Sequence, residues 1–299
     1  MPEPRLSISA VSTLTASFAE DLDAYAGAGA DGIGIWELKL PQGEDEESLE
    51  LVRASGLEVT NCVPLVPSIL PLPLIAGPID PRERVEAICA SIRRLAAFEP
   101  HGVVCLTGPA GDRSDAEARR IVVDGLRRIG REAKANGLRV GLEPFQRLGH
   151  EDWALATSIV EAVELVDDAG EPALGITFDV WHLWNSETLH DDIRDHAHVF
   201  TAVHVNDWRE PTRGWADRVL PGRGVAGVPG ILASLEDAGW SGPYDVEVFS
   251  DNGAFGSAYD DSLWDVPAAE LARRACEAFH ECWRARRTVD LPSPGGVRL

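Results

Sequence analysis

Cysteine is scarce and unpaired in this 299-residue sequence. The five cysteines contain no CxxC pair and no paired spacing, and an odd number argues against a closed disulfide framework. The same scarcity excludes an all-cysteine or cysteine-histidine structural zinc site. We therefore expect a protein of a reducing compartment, the cytoplasm.

Positive charge is also in short supply. Lysine and arginine together number 27 against 49 aspartates and glutamates, which gives a formal net charge of −22. This charge repels nucleic-acid phosphates and anionic membrane surfaces at long range. We therefore expect neither nucleic acid nor a membrane as a partner.

Long apolar runs and glycine-rich phosphate loops are missing as well. No stretch reaches the roughly 18 apolar residues that span a bilayer, and the start MPEPRLSISA does not have the pattern of a secretory signal. An open nucleotide-binding sheet would usually carry a glycine-rich turn after an early strand. The glycines between Gly27 and Gly32 instead follow a helix and precede a strand, which predicts a helix stop.

Short apolar runs alternate with longer amphipathic runs about eight times, the pattern of repeated βαβ units. We therefore predict an α/β fold, a single (β/α)8 barrel with parallel strands, over residues 1–289, and a loose tail over residues 290–299. The predicted strands are Leu6–Val11, Ile33–Glu37, Leu57–Cys62, Gly102–Thr107, Leu138–Glu143, Leu174–Asp179, Ala202–Asn206 and Tyr244–Val248.

Helical periodicity fills the segments between these strands. Pro81 pre-sets a first helical turn, and Asn136-Gly137 is a typical stop signal. The predicted helices are Ser17–Ala28, Glu44–Ser55, Pro81–Phe98, Ser114–Asn136, Trp153–Ala169, Glu187–His198, Val228–Ala238 and Ala268–Arg286.

One connection, Val63–Asp80, is too rich in proline for a helix and too apolar for a solvated loop. It follows the third strand, at the end of the barrel where substrate sites are built. We predict that it forms part of the wall or lid of the catalytic mouth. Packing on the rim and burial between subunits are the alternatives.

Ionisable residues stand at the ends of four consecutive predicted strands, and these ends point into one mouth. They are Glu143, Asp179, His204 and Glu247. Such groups are costly to desolvate at an apolar strand end unless they are paired or bind a cation. Three carboxylates and an imidazole suit Mn²⁺, our first expectation, with Mg²⁺, Co²⁺ and Zn²⁺ as alternatives. We predict one divalent metal ion at this end.

Other residues near the same mouth are candidates for binding the substrate. His182 could hydrogen-bond a substrate oxygen, and Asp207 could orient a neighbouring histidine. Arg209 could hold a hydroxyl or an anion, although surface ion pairing is the alternative. Glu37 could also contact the substrate, with a rim salt bridge to Lys39 or another cation as the alternative. Trp181 is a further candidate, with ordinary packing as the alternative.

The motifs at these strand ends resemble those of the xylose-isomerase-like barrel superfamily of sugar isomerases and epimerases. They are LEPF at Glu143, D-x-x-H from Asp179 to His182, H-x-x-D from His204 to Asp207, and PGRG before the strand that ends in Glu247. The resemblance covers nearly the whole chain. It implies that the four strand-end residues bind one divalent metal and that His182 lies beside the substrate.

This resemblance implies an isomerase or epimerase of carbohydrate metabolism acting on a keto-sugar or polyol. A metal-stabilised enediolate is the expected intermediate, with Glu143 and Glu247 as acid and base. Dehydration of a keto-cyclitol or keto-sugar remains open, as does a role as the barrel subunit of a C-glycoside-cleaving complex. The chain could also form a homo-oligomer. Endonuclease IV-like repair is disfavoured by the charge and by the lack of histidines on the first three strands.

Overall fold

Eight parallel strands close into a barrel in a computed structural model that describes residues 3–73, 75–146 and 153–288. The barrel strands are β1 (Leu6–Ser9), β2 (Gly32–Trp36), β3 (Glu58–Val63), β4 (Gly102–Cys105), β5 (Val140–Leu142), β6 (Leu174–Asp179), β7 (Phe200–Val205) and β10 (Tyr244–Val246). Around the barrel the order is β1-β10-β7-β6-β5-β4-β3-β2, so the predicted fold is confirmed. Two short strands, β8 (Asp207–Trp208) and β9 (Arg218–Val219), pair antiparallel outside the barrel.

Helices follow most of the strands and begin or end at residues that the sequence marks. Ser17 and Glu20 form a capping box at the start of α1, and Asp80 caps α3 directly before Pro81. The helices are α1 (Phe18–Ala28), α2 (Asp45–Ser55), α3 (Pro81–Leu95), α4 (Asp115–Ala135), α5 (Ile159–Ala169), α6 (Val180–Leu183), α7 (Leu189–His196), α8 (Val228–Asp237) and α9 (Ala268–Ala285). None of the helices described is long and apolar enough to cross a bilayer.

Element boundaries near the barrel mouth differ from the prediction. The helix expected from Trp153 begins only at Ile159, because the side chain of Ser158 accepts the backbone N–H of Glu161 and caps the helix there. The strands expected to end at Glu143 and Val248 end at Leu142 and Val246. Glu143 and Glu247 therefore stand one residue beyond their strands.

A buried polar layer within the barrel joins β1, β3 and β10. Asp245 on β10 accepts a hydrogen bond from Ser7 Oγ at 2.5 Å and another from Asn61 Nδ2. Burial raises the pKa of Asp245 to about 6. The apolar core surrounds this layer, and the tail predicted from Asp290 lies outside the described residues.

Close strand packing requires glycine at Gly175 on β6. A Cβ atom at this position would lie 2.2 Å from the backbone oxygen of Val199. Backbone cannot move aside as a flexible side chain can, so we expect Gly175→Ala to lower the free energy of unfolding by about 1–3 kcal/mol. Urea denaturation followed by circular dichroism measures this change.

The control is Gly27→Ala on the exposed side of α1, where an added Cβ meets no atom within 4 Å among the described residues. There alanine favours the helix, so stability should stay the same or rise by up to about 1 kcal/mol. Equal destabilisation by both substitutions would contradict the packing argument.

Candidate metal centre

Four ionisable side chains meet at the carboxyl end of the barrel. Glu143 follows β5, Asp179 ends β6, His204 lies on β7 and Glu247 follows β10. One possible ligand atom from each lies within 4.8 Å of the others, and all four residues are buried. The structure therefore brings together the set that the sequence analysis selected.

His204 stands between the carboxylates of this cluster. Its Nδ1 lies 3.4 Å from Glu143 Oε1 and 3.4 Å from Glu247 Oε2, and 3.9 Å from Asp179 Oδ2. Neither ring nitrogen makes a hydrogen bond of good geometry with the described residues. The imidazole thus has one buried nitrogen, Nδ1, close to three carboxylates, an arrangement that suits a shared cation.

Burial and mutual attraction perturb the ionisation of this cluster. Burial raises the pKa of Glu143 to about 7. Burial also opposes ionisation of Asp179, but the positive charges of Arg218, His182 and His204 lower its pKa to about 2. For His204 burial favours the neutral ring, yet the carboxylates of Glu247 and Glu143 raise its pKa to about 10.

The donor set fits a divalent metal ion. Carboxylate oxygens with one imidazole nitrogen suit ions such as Mn²⁺, Mg²⁺, Co²⁺ and Zn²⁺, and the cluster is small enough for one ion to contact all four residues. Asp179 is further held by Asn206 Nδ2, which donates to its Oδ1 at 2.9 Å, and by the backbone N–H of Trp181 at 2.7 Å. Such outer partners fix the orientation of a ligating carboxylate.

Arg218, which the sequence analysis missed, borders this cluster. Its Nη1 donates to Asp179 Oδ2 at 2.8 Å and to Glu247 Oε2 at 3.3 Å, and its side chain is buried. The β8–β9 pair positions it, since Arg218 pairs with Trp208 in register. A signal was present: Asp217 and Arg218 are a charged pair directly followed by apolar residues, upstream of PGRG.

His182 reaches the cluster from the short helix α6. Its ring stacks on Phe145, with centroids 3.9 Å apart and an interplanar angle of 9°. Its Nε2 lies 3.5 Å from Arg218 Nη2. His182 lines the cavity above the cluster, as a residue that contacts substrate would.

Asp207 and Arg209 occupy other places. The carboxylate of Asp207 accepts the backbone N–H groups of Trp208 and Ala226, each at 2.8 Å, so it holds the PGRG loop and orients neither histidine. Arg209 pairs with Asp217 at 2.8 Å and Asp261 at 3.0 Å. These ion pairs match the alternative that the sequence analysis gave for Arg209. Arg209 is not among the described residues that line the cavity above the cluster.

Glu37 and Trp181 also lie outside the cavity lining. The carboxylate of Glu37 pairs with Arg94 at 3.2 Å and accepts Ser91 Oγ at 2.6 Å, whereas Lys39 pairs with Asp21. The buried ring of Trp181 packs on Trp208 with centroids 4.8 Å apart. Both positions match the structural alternatives that the sequence analysis had left open.

A cavity of about 460 Å³ opens above the four clustered side chains. The predicted wall segment after β3 contributes to it through Val63, Leu65, Leu72 and Ile75, among others. Arg84 anchors this segment by donating to Ser68 O and to Ser68 Oγ, each at 2.7 Å. The segment therefore forms a wall of the mouth, as predicted.

The chain is a closed parallel barrel with a candidate metal site at its carboxyl end. Comparison with known proteins identifies its family. Residues 22–282 match the family described as xylose isomerase-like TIM barrel, and the chain belongs to it.

Relatives of known activity carry out different reactions. A 3-dehydroshikimate dehydratase of Pseudomonas putida is 26% identical over 82% of this chain, which spans 38% of that protein's length. An inosose isomerase of Halalkalibacterium halodurans is 29% identical over 45% of this chain and 48% of its own. The crystal structure of protein SMc04130 from Sinorhizobium meliloti superposes with a TM-score of 0.80 at 27% identity, covering 93% of this chain and 98% of that one. The dehydratase and the isomerase are both enzymes, and their reactions differ.

We expect metal binding to release protons. A ligating histidine must be neutral, but His204, with a pKa raised to about 10, carries a proton at neutral pH before metal binds. Glu143, with a pKa raised to about 7, adds a second proton only below that pH. Calorimetric titration with Mn²⁺ in buffers of different ionisation enthalpy should find about two protons released near pH 6 and about one near pH 8. Affinity should rise with pH accordingly.

His198→Gln is the matched control, because His198 is exposed and remote from the four clustered side chains. It should leave proton release unchanged, whereas His204→Gln should abolish the proton released near pH 8. Metal uptake with no proton release at either pH would contradict the assignment of His204 as a ligand.

Proposed function

We propose that this chain is a divalent-metal-dependent isomerase or epimerase acting on a hydroxyketone, a keto-sugar or a related polyol. The observation that carries the proposal is the buried cluster of three carboxylates and His204, with Glu143 and Glu247 both facing the one cavity above it. Membership of a family with isomerase and dehydratase relatives supports an enzymatic role.

The two glutamates are placed to transfer a proton. β6 and β7 separate β5 from β10 around the barrel, so Glu143 and Glu247 approach the cavity from different sides. One carboxylate would take the proton from the carbon beside the carbonyl, and the other carboxyl group would return it, on the same or the neighbouring carbon. A bound divalent ion would supply positive charge beside the carbonyl and hydroxyl oxygens, which stabilises the negative charge that develops on them.

Glu247 is held in a defined orientation for such a role. Its Oε1 accepts hydrogen bonds from Ser9 Oγ and from Trp36 Nε1, each at 3.3 Å, and its Oε2 accepts one from Arg218 at 3.3 Å. These three donors fix the direction in which the carboxylate faces the cavity. Glu247 is therefore our candidate for the base that starts the reaction.

Arg218 and His182 would bind the substrate's oxygens. Both line the cavity directly above the four clustered side chains, and Arg218 presents Nη2 toward His182 Nε2. A guanidinium and an imidazole in a buried site can hold a hydroxyl or carbonyl oxygen in one orientation. The sequence analysis had considered Arg209 for this role.

Dehydration is the second candidate, because the relative matched over 82% of this chain is a dehydratase. The first step would be the same proton removal. The electron pair would then expel a hydroxyl group from the next carbon, and His182 or Glu143 would protonate this group so that it leaves as water. The two reactions share the site and the first step. They differ in the second step, in which the electron pair either takes up a proton or expels a hydroxyl group.

We expect the Mn²⁺-loaded protein to exchange the C–H proton beside the carbonyl of its substrate with solvent, because proton removal and return pass through a carboxyl group. A panel of hydroxyketones incubated in D₂O and followed by proton NMR and mass spectrometry measures this exchange. An isomerase or epimerase yields a product of unchanged composition apart from deuterium, whereas dehydration removes one water.

Glu247→Gln should slow this exchange by about 100-fold or more. Glu47→Gln, which removes a carboxylate from the exposed face of α2, should leave the exchange rate unchanged. If no hydroxyketone in the panel exchanges with the metal-loaded protein, the proposed function is wrong.

Arg218→Lys should lower kcat/KM by roughly 100-fold on the hydroxyketone that exchanges fastest, because lysine keeps the charge but loses the planar fork that contacts Asp179, Glu247 and His182. Arg209→Lys is the matched control and should change kcat/KM by no more than about threefold, since Arg209 forms ion pairs away from the cavity. Steady-state kinetics measures both. An equal loss of kcat/KM in the two variants would contradict the assignment of Arg218, rather than Arg209, as the arginine of the site.

A further inference from the structure

The cavity divides sharply into a polar floor and an apolar wall. Of the twenty described residues that line it, five are polar: Glu143, His182, His204, Arg218 and Glu247. All five belong to the cluster or border it. The other fifteen are aliphatic, aromatic or proline residues, so polar side chains do not line the cavity beyond its floor in the described part of the chain.

Trp36, which has a polar ring atom, belongs to the lining as well. Its Nε1 donates to Ser9 Oγ at 3.1 Å and to Glu247 Oε1 at 3.3 Å, so this donor is used within the protein. The rings of Phe145, Trp215 and Phe249 form much of the remaining surface. Among the described residues, a substrate that extends upward from the floor therefore meets mainly ring faces and aliphatic side chains.

A second observation concerns the opening of the cavity. Leu38 is 48% exposed, Leu65 is 49% exposed and Phe255 is 42% exposed, and all three line the same cavity from three different loops. Single exposed apolar residues are ordinary, but several around one cavity mark a surface that binds an apolar partner. The apolar character of the wall thus continues to the rim.

These features disfavour a substrate that carries hydroxyl groups along its whole length. A hydroxyl group that leaves water for an apolar wall loses its hydrogen bonds without replacement, which is unfavourable. An apolar ring in the same place gains by leaving water. A cavity of about 460 Å³ also lies within the range of roughly 300–1,000 Å³ that encloses ligands larger than fragments.

We propose that the substrate is amphiphilic: a hydroxyketone head binds at the polar floor, and an attached aromatic ring system binds against the apolar wall. The position of the head rests on the proposed function. The aromatic part rests on the wall and rim alone. The class of substrate is thus a ketone derived from a sugar or cyclitol that bears an aromatic substituent.

Two hydroxamates test the wall without requiring turnover, because both offer the same two-oxygen chelating head. Acetohydroxamate carries a methyl group, and 4-biphenylcarbohydroxamate carries two aromatic rings. We expect the Mn²⁺-loaded protein to bind the biphenyl compound at least tenfold more tightly in calorimetric titration, a factor equivalent to 1.4 kcal/mol.

Substitutions at the rim locate this preference. Leu65→Ser combined with Phe255→Ser should lower the affinity for the biphenyl compound severalfold and leave the affinity for acetohydroxamate unchanged. Both side chains are about half exposed, so their replacement does not open the core. Val160→Ser is the matched control, since Val160 is 41% exposed on α5 and does not line the cavity. It should leave both affinities unchanged.

Equal affinities for the two hydroxamates would overturn the inference, as would no binding of either compound. A preference that survives the double substitution at the rim undiminished would also count against it. The proposed reaction fails separately. If the biphenyl compound binds selectively but hydroxyketones with and without aromatic substituents show no exchange in D₂O, the amphiphilic cavity stands and the isomerase proposal falls.

Discussion

The neutralisation of buried carboxylates at the carboxyl end of the barrel is the constraint on which the site depends. Glu143, Asp179 and Glu247 lie there with little access to water, which would stabilise their charges. Arg218 supplies one positive charge beside them. If His204 is a neutral ligand, three carboxylates and one guanidinium leave two negative charges, which one divalent cation would neutralise. Without metal, the protonation of His204 and Glu143 reduces the same excess.

The chain after β7 positions the guanidinium of Arg218, which offsets part of the negative charge of the carboxylates. Asp207 accepts backbone N–H groups on both sides of the PGRG loop, and glycine at Gly224 lets the loop approach Trp208, whose oxygen would lie 2.1 Å from an added Cβ. The antiparallel β8–β9 pair then sets Arg218 opposite Trp208. The chain outside the barrel strands thus determines where the guanidinium of Arg218 approaches the cluster.

Ionisable side chains and apolar side chains occupy different parts of this cavity. The floor carries the ionisable groups that any proton transfer beside a carbonyl requires, and relatives with different activities are compatible with such a floor. Much of the wall comes from the chain that follows the strands, including the segment that Arg84 anchors through Ser68. Loops around a constant barrel end can change the substrate without changing the first step of the reaction.

The sequence by itself determined the barrel and the four clustered side chains. Strand periodicity is a local property, and barrel topology brings the strand ends to one mouth, so Glu143, Asp179, His204 and Glu247 could be predicted to meet. Only the tertiary structure showed that Arg218 borders the cluster and that Arg209 does not, because the two arginines have different ion-pair partners. Side chains in loops are directed by contacts between residues remote in sequence, which no periodicity records.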